Sequence, residues 1–231
     1  MVSALLRAWP LNLVTLALGI CGYLVVSLQP EWVAFFTFTE VKLYFSYEEF
    51  HSFTQTYWID HQWWRLISPA FLHFGFLHLL FNSLALWELG RRLEFVLPVW
   101  WYAVVLLVTA VAANLAQFWL SGPGIFGGLS GVIFGLFGAI AVLYWRSRSP
   151  VLKLPQGLYV LAGVSLVILP FVLEIFNVHV ANGAHVGGLV AGVALALTIP
   201  LRPATETAED PHSPLHRLEH AIHPWVGYGV V

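Results

Sequence analysis

The sequence predicts an all-α membrane protein, a single domain of six transmembrane helices whose aromatic first loop is embedded in the membrane surface. Three observations carry this. The 231 residues are 59% hydrophobic and only 10% charged, with a mean hydropathy of +0.78, whereas soluble domains are about one-quarter charged. Six apolar stretches approach the roughly 17–25 residues that cross a bilayer. Basic residues fall almost wholly on one side of the spans so defined. This length and balance make one membrane domain, residues 1–201, followed by a flexible cytoplasmic tail, residues 202–231.

Composition also excludes. A net charge of −2 favours neither nucleic acid nor an acidic substrate as a partner. Cys21 is the single cysteine, so no disulfide closes within the chain, and its apolar surroundings suit packing. Neither GxGxxG nor a P-loop occurs, and no cofactor or metal is assigned to the membrane domain.

The first span covers residues 11–28. Arg7 ahead of it imitates a signal peptide, but the run is long for that role and no small-x-small cleavage site follows closely. Residues 29–65 form a polar stretch with Glu31, Glu40, Glu48, Glu49 and Asp60 among Tyr44, Tyr47, Tyr57, Trp58, Trp63 and Trp64. It is too polar to span, and its amphipathic rings suit the outer membrane interface. The second span, residues 74–89, follows His73, carries His78 and Asn82, and is closed by Arg91 and Arg92. The third, residues 95–120, ends in the turn Ser121-Gly122-Pro123-Gly124. The fourth covers residues 130–145 and is closed by Arg146, Arg148 and Lys153. Residues 158–176 and 183–201 complete the set.

Six spans put both termini on one side. Arg7, Arg91, Arg92, Arg146, Arg148, Lys153, Arg202 and Arg217 fall on that side, and only Lys42 and Arg65 on the other. The excess makes the terminal side cytoplasmic. Ser130, which begins span four, then lies toward the outward face.

The stretch around that serine, Gly127-Gly128-Leu129-Ser130-Gly131, has two readings. Gly131 and Gly135 keep the four-residue spacing by which membrane helices pack closely. Alternatively, Gly128 and Gly131 leave Ser130 open to a substrate as a nucleophile. Taken alone, the stretch favours packing. Length shifts the balance. Sixteen residues before Arg146 give a helix of roughly 24 Å against a bilayer core of about 30 Å. Ser130 therefore sits below the outer surface, and the glycine-rich loop must dip to meet it. Irregular backbone at that depth needs protein or a water-filled cavity around it, which implies a recessed, wet pocket.

His185 lies one turn into span six, near the same depth. Intramembrane ionisable groups are costly and face the bundle interior. The pairs Gly183/Gly187, Ala184/Gly188 and Gly188/Gly192 allow spans four and six to touch. A close approach would bring His185 within reach of Ser130 as a general base. The plainer reading is a histidine bonded to a neighbouring helix, and the glycine-flanked serine at matching depth favours the base. His78 and Asn82 share one face of span two. They could donate, with the Ser130 backbone N–H, to a developing oxyanion. They could equally be interhelical glue.

These residues carry a resemblance. The patterns His73-x4-His78-x3-Asn82, Gly128-Leu129-Ser130-Gly131 and Ala184-His185-x2-Gly188, in that order, resemble the rhomboid intramembrane serine proteases. The resemblance covers about residues 10–200 and implies a six-transmembrane rhomboid bundle. It implies a Ser130–His185 dyad without a triad acid, with His78, Asn82 and the Ser130 backbone as oxyanion hole. Gly128, Gly131 and Phe134 support that site. Trp64-Arg65 and Glu94 match family positions and are assigned to structure, as is His73. Phe134 occupies an aromatic position often filled by tyrosine, so stacking on His185 is kept while a phenolic hydrogen bond is lost.

What the resemblance implies is an endopeptidase cutting transmembrane segments of single-pass proteins, with those proteins and membrane lipid as partners. A bacterial inner-membrane location follows from the six-span form. Two other classes compete. A rhomboid-like pseudoprotease that binds or sorts clients would be expected to lose Ser130 or His185. A transporter would be expected to show paired repeats, and none is visible. In the tail, His212, His216, His220 and His223 share a helical face; a solvated tail is favoured over a Zn²⁺ or Ni²⁺ site because no acidic or cysteine ligand fixes it. The sequence sets no oligomeric state.

Overall fold

Six long helices account for most of the described residues. The computed structural model describes residues 9–44, 47–175 and 180–200. The tail with its four histidines, Arg7, Arg202, Arg217 and Phe176 lie outside them. Among the described residues the helices are α1 (Pro10–Leu28), α2 (Phe76–Val96), α3 (Val99–Ser121), α4 (Ser130–Ser147), α5 (Gln156–Glu174) and α6 (Asn182–Thr198). Four of them, α1, α3, α4 and α5, are long and apolar enough to cross a membrane. Helix α6 is apolar but has 17 residues, and the 21-residue α2 carries Glu88, Arg91, Arg92 and Glu94 in its second half.

The helix ends have local causes. Pro10 stands at the first turn of α1, where its missing N–H costs nothing. Gly122, at φ 79°, stops α3 where a side chain would be strained. The expected end of the second span at residue 89 is corrected, because α2 runs on to Val96. Arg91 and Arg92 do not close it. Both pair with Glu88 one turn back, so the charges are satisfied on the helix surface. The third helix starts at Val99 rather than residue 95, since Pro98 ends the preceding ladder and caps the next.

The first loop departs from an all-helical reading. A small antiparallel ribbon, β1 (Val41–Leu43) with β2 (Glu48–Phe50), sits among short helical turns. Arg65 is buried within the loop and organises the chain around itself. Its guanidinium donates to the Ala34 carbonyl at 2.7 Å and the Thr37 carbonyl at 2.9 Å, satisfying the open C-terminal end of the Val33–Phe36 turn. Trp64 donates to the Phe35 carbonyl at 3.1 Å and stacks on the Phe35 ring at 5.0 Å. The buried Tyr57 hydroxyl donates to the Phe38 carbonyl at 2.6 Å. Burial pushes that phenol well above its ordinary range.

Glu94 holds the other end. Its carboxylate accepts from the Leu11 N–H at 2.7 Å and the Asn12 N–H at 2.9 Å, at the positive end of α1. Arg92 and Arg146 lie at this same end, donating to Val151 and Ile199 carbonyls. The described basic residues of α2 and α4 thus collect at one end of the bundle, and Lys42 and Arg65 belong to the loop at the other.

Helix α6 is wedged between α3 and α4, and glycine makes this possible. A Cβ on Gly188 or Gly192 would overlap the Gly131 or Gly135 carbonyl oxygen of α4. Gly183 and Gly187 face α3 instead, against Gln117 and Ala116. The sequence placed all three small pairs between spans four and six. Only Ala184/Gly188 and Gly188/Gly192 serve that contact.

Candidate active site

The site forms where α4 begins. Leu129, just ahead of it, lies against Gly19 of α1, where a Cβ would stand 3.1 Å from the leucine methyl. Gly19 is nine residues before the end of α1 at Leu28, about 13 Å at 1.5 Å per residue. Ala113, beside Gly131, is eight residues before the end of α3 at Ser121, about 12 Å by the same rise. The start of α4 is therefore recessed below the ends of its neighbours.

The descending loop is held by backbone contacts. Gly128 N–H donates to the Pro69 carbonyl at 3.0 Å. A Cβ on Gly127 would stand 2.6 Å from that same oxygen. Gly128 has φ 117°, a conformation reserved for glycine, and a Cβ there would sit 2.7 Å from His78 Nε2. The Gly128 position thus admits the His78 ring. Gly131 serves packing, since its own Cβ would meet Ala113 at 2.6 Å and the Ala184 carbonyl at 3.1 Å.

Ser130 and His185 come together across α4 and α6. His185 Nε2 lies 2.9 Å from Ser130 Oγ. His185 is buried, Ser130 half-buried, and Phe134 one turn along α4 stacks on the imidazole at 4.6 Å and 28°. With Nε2 accepting from the serine, the proton sits on Nδ1. No described protein group accepts a hydrogen bond from Nδ1, so no acidic side chain orients the ring. The Phe134 stack supplies that constraint.

His78 and Asn82 point at the same loop from α2. Asn82 Nδ2 is buried without a described partner, 3.6 Å from where a Gly128 Cβ would lie. A buried amide donor without an acceptor is uncommon enough to need a reason. A site for a substrate oxygen beside Gly128 would give one. His73 is fully buried behind them, its Nδ1 bonded to the Phe71 carbonyl at 2.9 Å and its ring 5.0 Å from that of His78.

Two polar residues of α3 escaped the sequence reading. Gln117 Oε1 accepts from the Ala184 N–H at 3.1 Å, capping α6 one residue before His185. Asn114 Nδ2 donates to the Leu66 carbonyl at 2.9 Å. Their signal was available: two buried amides three residues apart in an otherwise apolar span.

Residues 60–202, more than half of the chain, match the family model described as Rhomboid domain. The chain belongs to the rhomboid family. A rhomboid protease GlpG of Pectobacterium atrosepticum is 41% identical over 135 residues, 58% of this chain and 48% of that protein. The rhomboid protease GlpG of Klebsiella pneumoniae is 38% identical over 133 residues, 58% of this chain and 47% of its own length. One from Yersinia pestis is 38% identical over 135 residues, with 58% and 48% covered. The chain thus spans about half the length of the curated relatives it matches. The rhomboid match contains α2 to α6 and every residue of the recessed site, while α1 and most of the first loop lie ahead of it.

Proposed function

We propose that this chain is an intramembrane serine endopeptidase that hydrolyses a peptide bond in or near the transmembrane segment of a single-pass protein. The observation that carries the reading is the 2.9 Å contact between Ser130 Oγ and His185 Nε2 at the start of α4, recessed below the ends of α1 and α3. Family membership and relatives named as proteases support it.

In the mechanism, Ser130 Oγ attacks the scissile carbonyl carbon while its proton passes to His185 Nε2. The new C–O bond leaves an oxyanion, which accepts from His78, Asn82 and the Ser130 N–H. The unpartnered Asn82 amide is set to bond this charge without rearrangement, which is where preorganised donors contribute most. Collapse breaks the C–N bond, and His185 returns the proton to the leaving amine. Water, deprotonated by His185, then hydrolyses the acyl-enzyme and frees Ser130. A helical substrate hides its carbonyls in its own hydrogen bonds, so it must unwind locally first. Small residues at the scissile bond suit a serine recessed among packed helices, and helix-breaking residues below it ease that unwinding.

In this reading α2 and α6 span beside the other four helices, both termini lie in the cytoplasm, and the site faces the outer side of a bacterial inner membrane. The basic residues gathered at the far end of the bundle support this orientation. The intact Ser130–His185 pair disfavours a pseudoprotease.

The test is cleavage of a fluorescent single-pass substrate by the purified chain. Ser130→Ala and His185→Ala should each lower kcat by several orders of magnitude, on the order of 10⁴-fold or more, and the double variant little further. Asn82→Ala should cost on the order of 10²-fold. Undiminished cleavage by Ser130→Ala sinks the proposal.

A further inference from the structure

We propose that the first loop carries a divalent-cation site of the Zn²⁺ class, built from Glu40, His51 and Asp60. Glu40 immediately precedes β1, His51 immediately follows β2, and Asp60 closes the helical turn Gln55–Ile59. Three separate segments thus converge, and one ligand atom from each lies within 4.8 Å of the other two. His51 Nδ1 stands at the centre, 3.5 Å from Glu40 Oε2 and 3.6 Å from Asp60 Oδ2. It is sealed from solvent and makes no hydrogen bond.

The spacing fits an ion. Direct N–H···O bonds are about 2.9 Å. Ligands held about 2.1 Å from a tetrahedral ion lie roughly 3.4 Å from one another. Both histidine–carboxylate edges are close to the second value. The carboxylates are also held by neighbouring side-chain amides, as ligating groups usually are. Gln62 Nε2 donates to Glu40 Oε2 at 2.7 Å and Gln55 Nε2 donates to Asp60 Oδ1 at 2.9 Å, while the His51 backbone N–H donates to the Glu40 backbone carbonyl at 2.8 Å and holds the two residues side by side. Asp60 is exposed, which leaves room for a water as fourth ligand. An imidazole with two carboxylates suits a first-row divalent ion, whereas Ca²⁺ prefers a shell of oxygens alone. The ion would staple the ribbon to the Gln55–Ile59 turn and, through Gln62, to Arg65.

The four tail histidines could also take up metal, so the test uses the full chain with all four changed to alanine. Zn²⁺ should bind this parent with one equivalent and raise its Tm by about 5 °C at saturation. His51→Ala should lose both effects. Asp60→Asn, which keeps the Gln55 contact, should weaken binding about tenfold or more while its metal-free Tm stays near the parent's. Ca²⁺ should do neither. No Zn²⁺ binding by the parent, equal binding by His51→Ala, or stabilisation by Ca²⁺ equal to that by Zn²⁺ overturns the proposal.

Discussion

Helices α5 and α6 are both apolar, both contain glycines and follow one another in the chain, yet they are held in opposite ways. Helix α6 buries Ala184, His185, Gly188, Gly192 and Ala196, and both ends are tied, by Gln117 at its start and by Arg146, which donates to Ala196 at 2.6 Å, at its finish. Helix α5 buries none of its residues. Its Gly157 and Gly163 have nothing within 4 Å of a Cβ position. A π-helical turn, Val164–Ile168, interrupts it just before Pro170, whose missing N–H breaks the regular ladder. Hydropathy cannot tell these helices apart. What separates them is whether the small residues repeat every four positions, because only a continuous small stripe lets two backbones touch. The helix that carries His185 is the one so fixed, and a base must hold its position to within a fraction of an ångström.

The largest effect should come from filling that stripe. In Gly192→Ala the new methyl would overlap a backbone carbonyl of α4, which cannot swing aside as a side chain could. The loss should be about 3 kcal/mol or more, at the upper end of overpacking. Unfolding in mixed detergent reads it. Activity should fall with stability, since α4 and α6 must part. An equal loss from Gly157→Ala in α5 would erase the contrast between the helices.

How much of this could be read beforehand follows the same line. The depth of Ser130 was legible because it depends on length alone: a short apolar run ahead of Arg146. The close passage of α4 and α6 was legible in Gly131, Gly135, Gly188 and Gly192, since spacing encodes a helix face. The direction of Gly183 and Gly187 was not, because a four-residue stripe says that a helix packs without saying on which neighbour. Nor was the end of α2, where two arginines that look like a boundary share Glu88 on the helix itself. The loop resisted most. Its order comes from Arg65 reaching residues 34 and 37 and from the meeting of Glu40, His51 and Asp60, contacts between distant positions that no local pattern announces.

An intermediate effect tests whether the ties at the end of α6 matter for the site. Gln117→Ala removes one of the two acceptors of the buried Ala184 N–H, which keeps only the Ala181 carbonyl at 3.0 Å. The cost should be about 1 kcal/mol, that of one hydrogen bond lost from a donor that keeps another. Because the contact is one residue from His185, kcat should also fall, by roughly tenfold, with KM little changed. Gln117→Glu, which keeps an acceptor, should restore much of the stability. If Gln117→Ala lowers stability but leaves kcat untouched, the cap serves the fold alone.

The smallest effect, and the one of opposite sign, belongs to α5. Gly163 has ordinary helical angles, φ −62° and ψ −44°, and open space where a Cβ would go. Alanine there meets no clash and removes conformational freedom from the unfolded chain, so Gly163→Ala should stabilise by about 0.5–1 kcal/mol. The same substitution chemistry thus costs stability in one helix and adds it in the other, and the sign depends only on whether a neighbouring backbone occupies the space. Measured as a rise in midpoint denaturant, the gain would establish that α5 is held by its own hydrogen bonds and by lipid. A loss would mean that α5 packs against the bundle in the membrane more closely than its exposed face indicates.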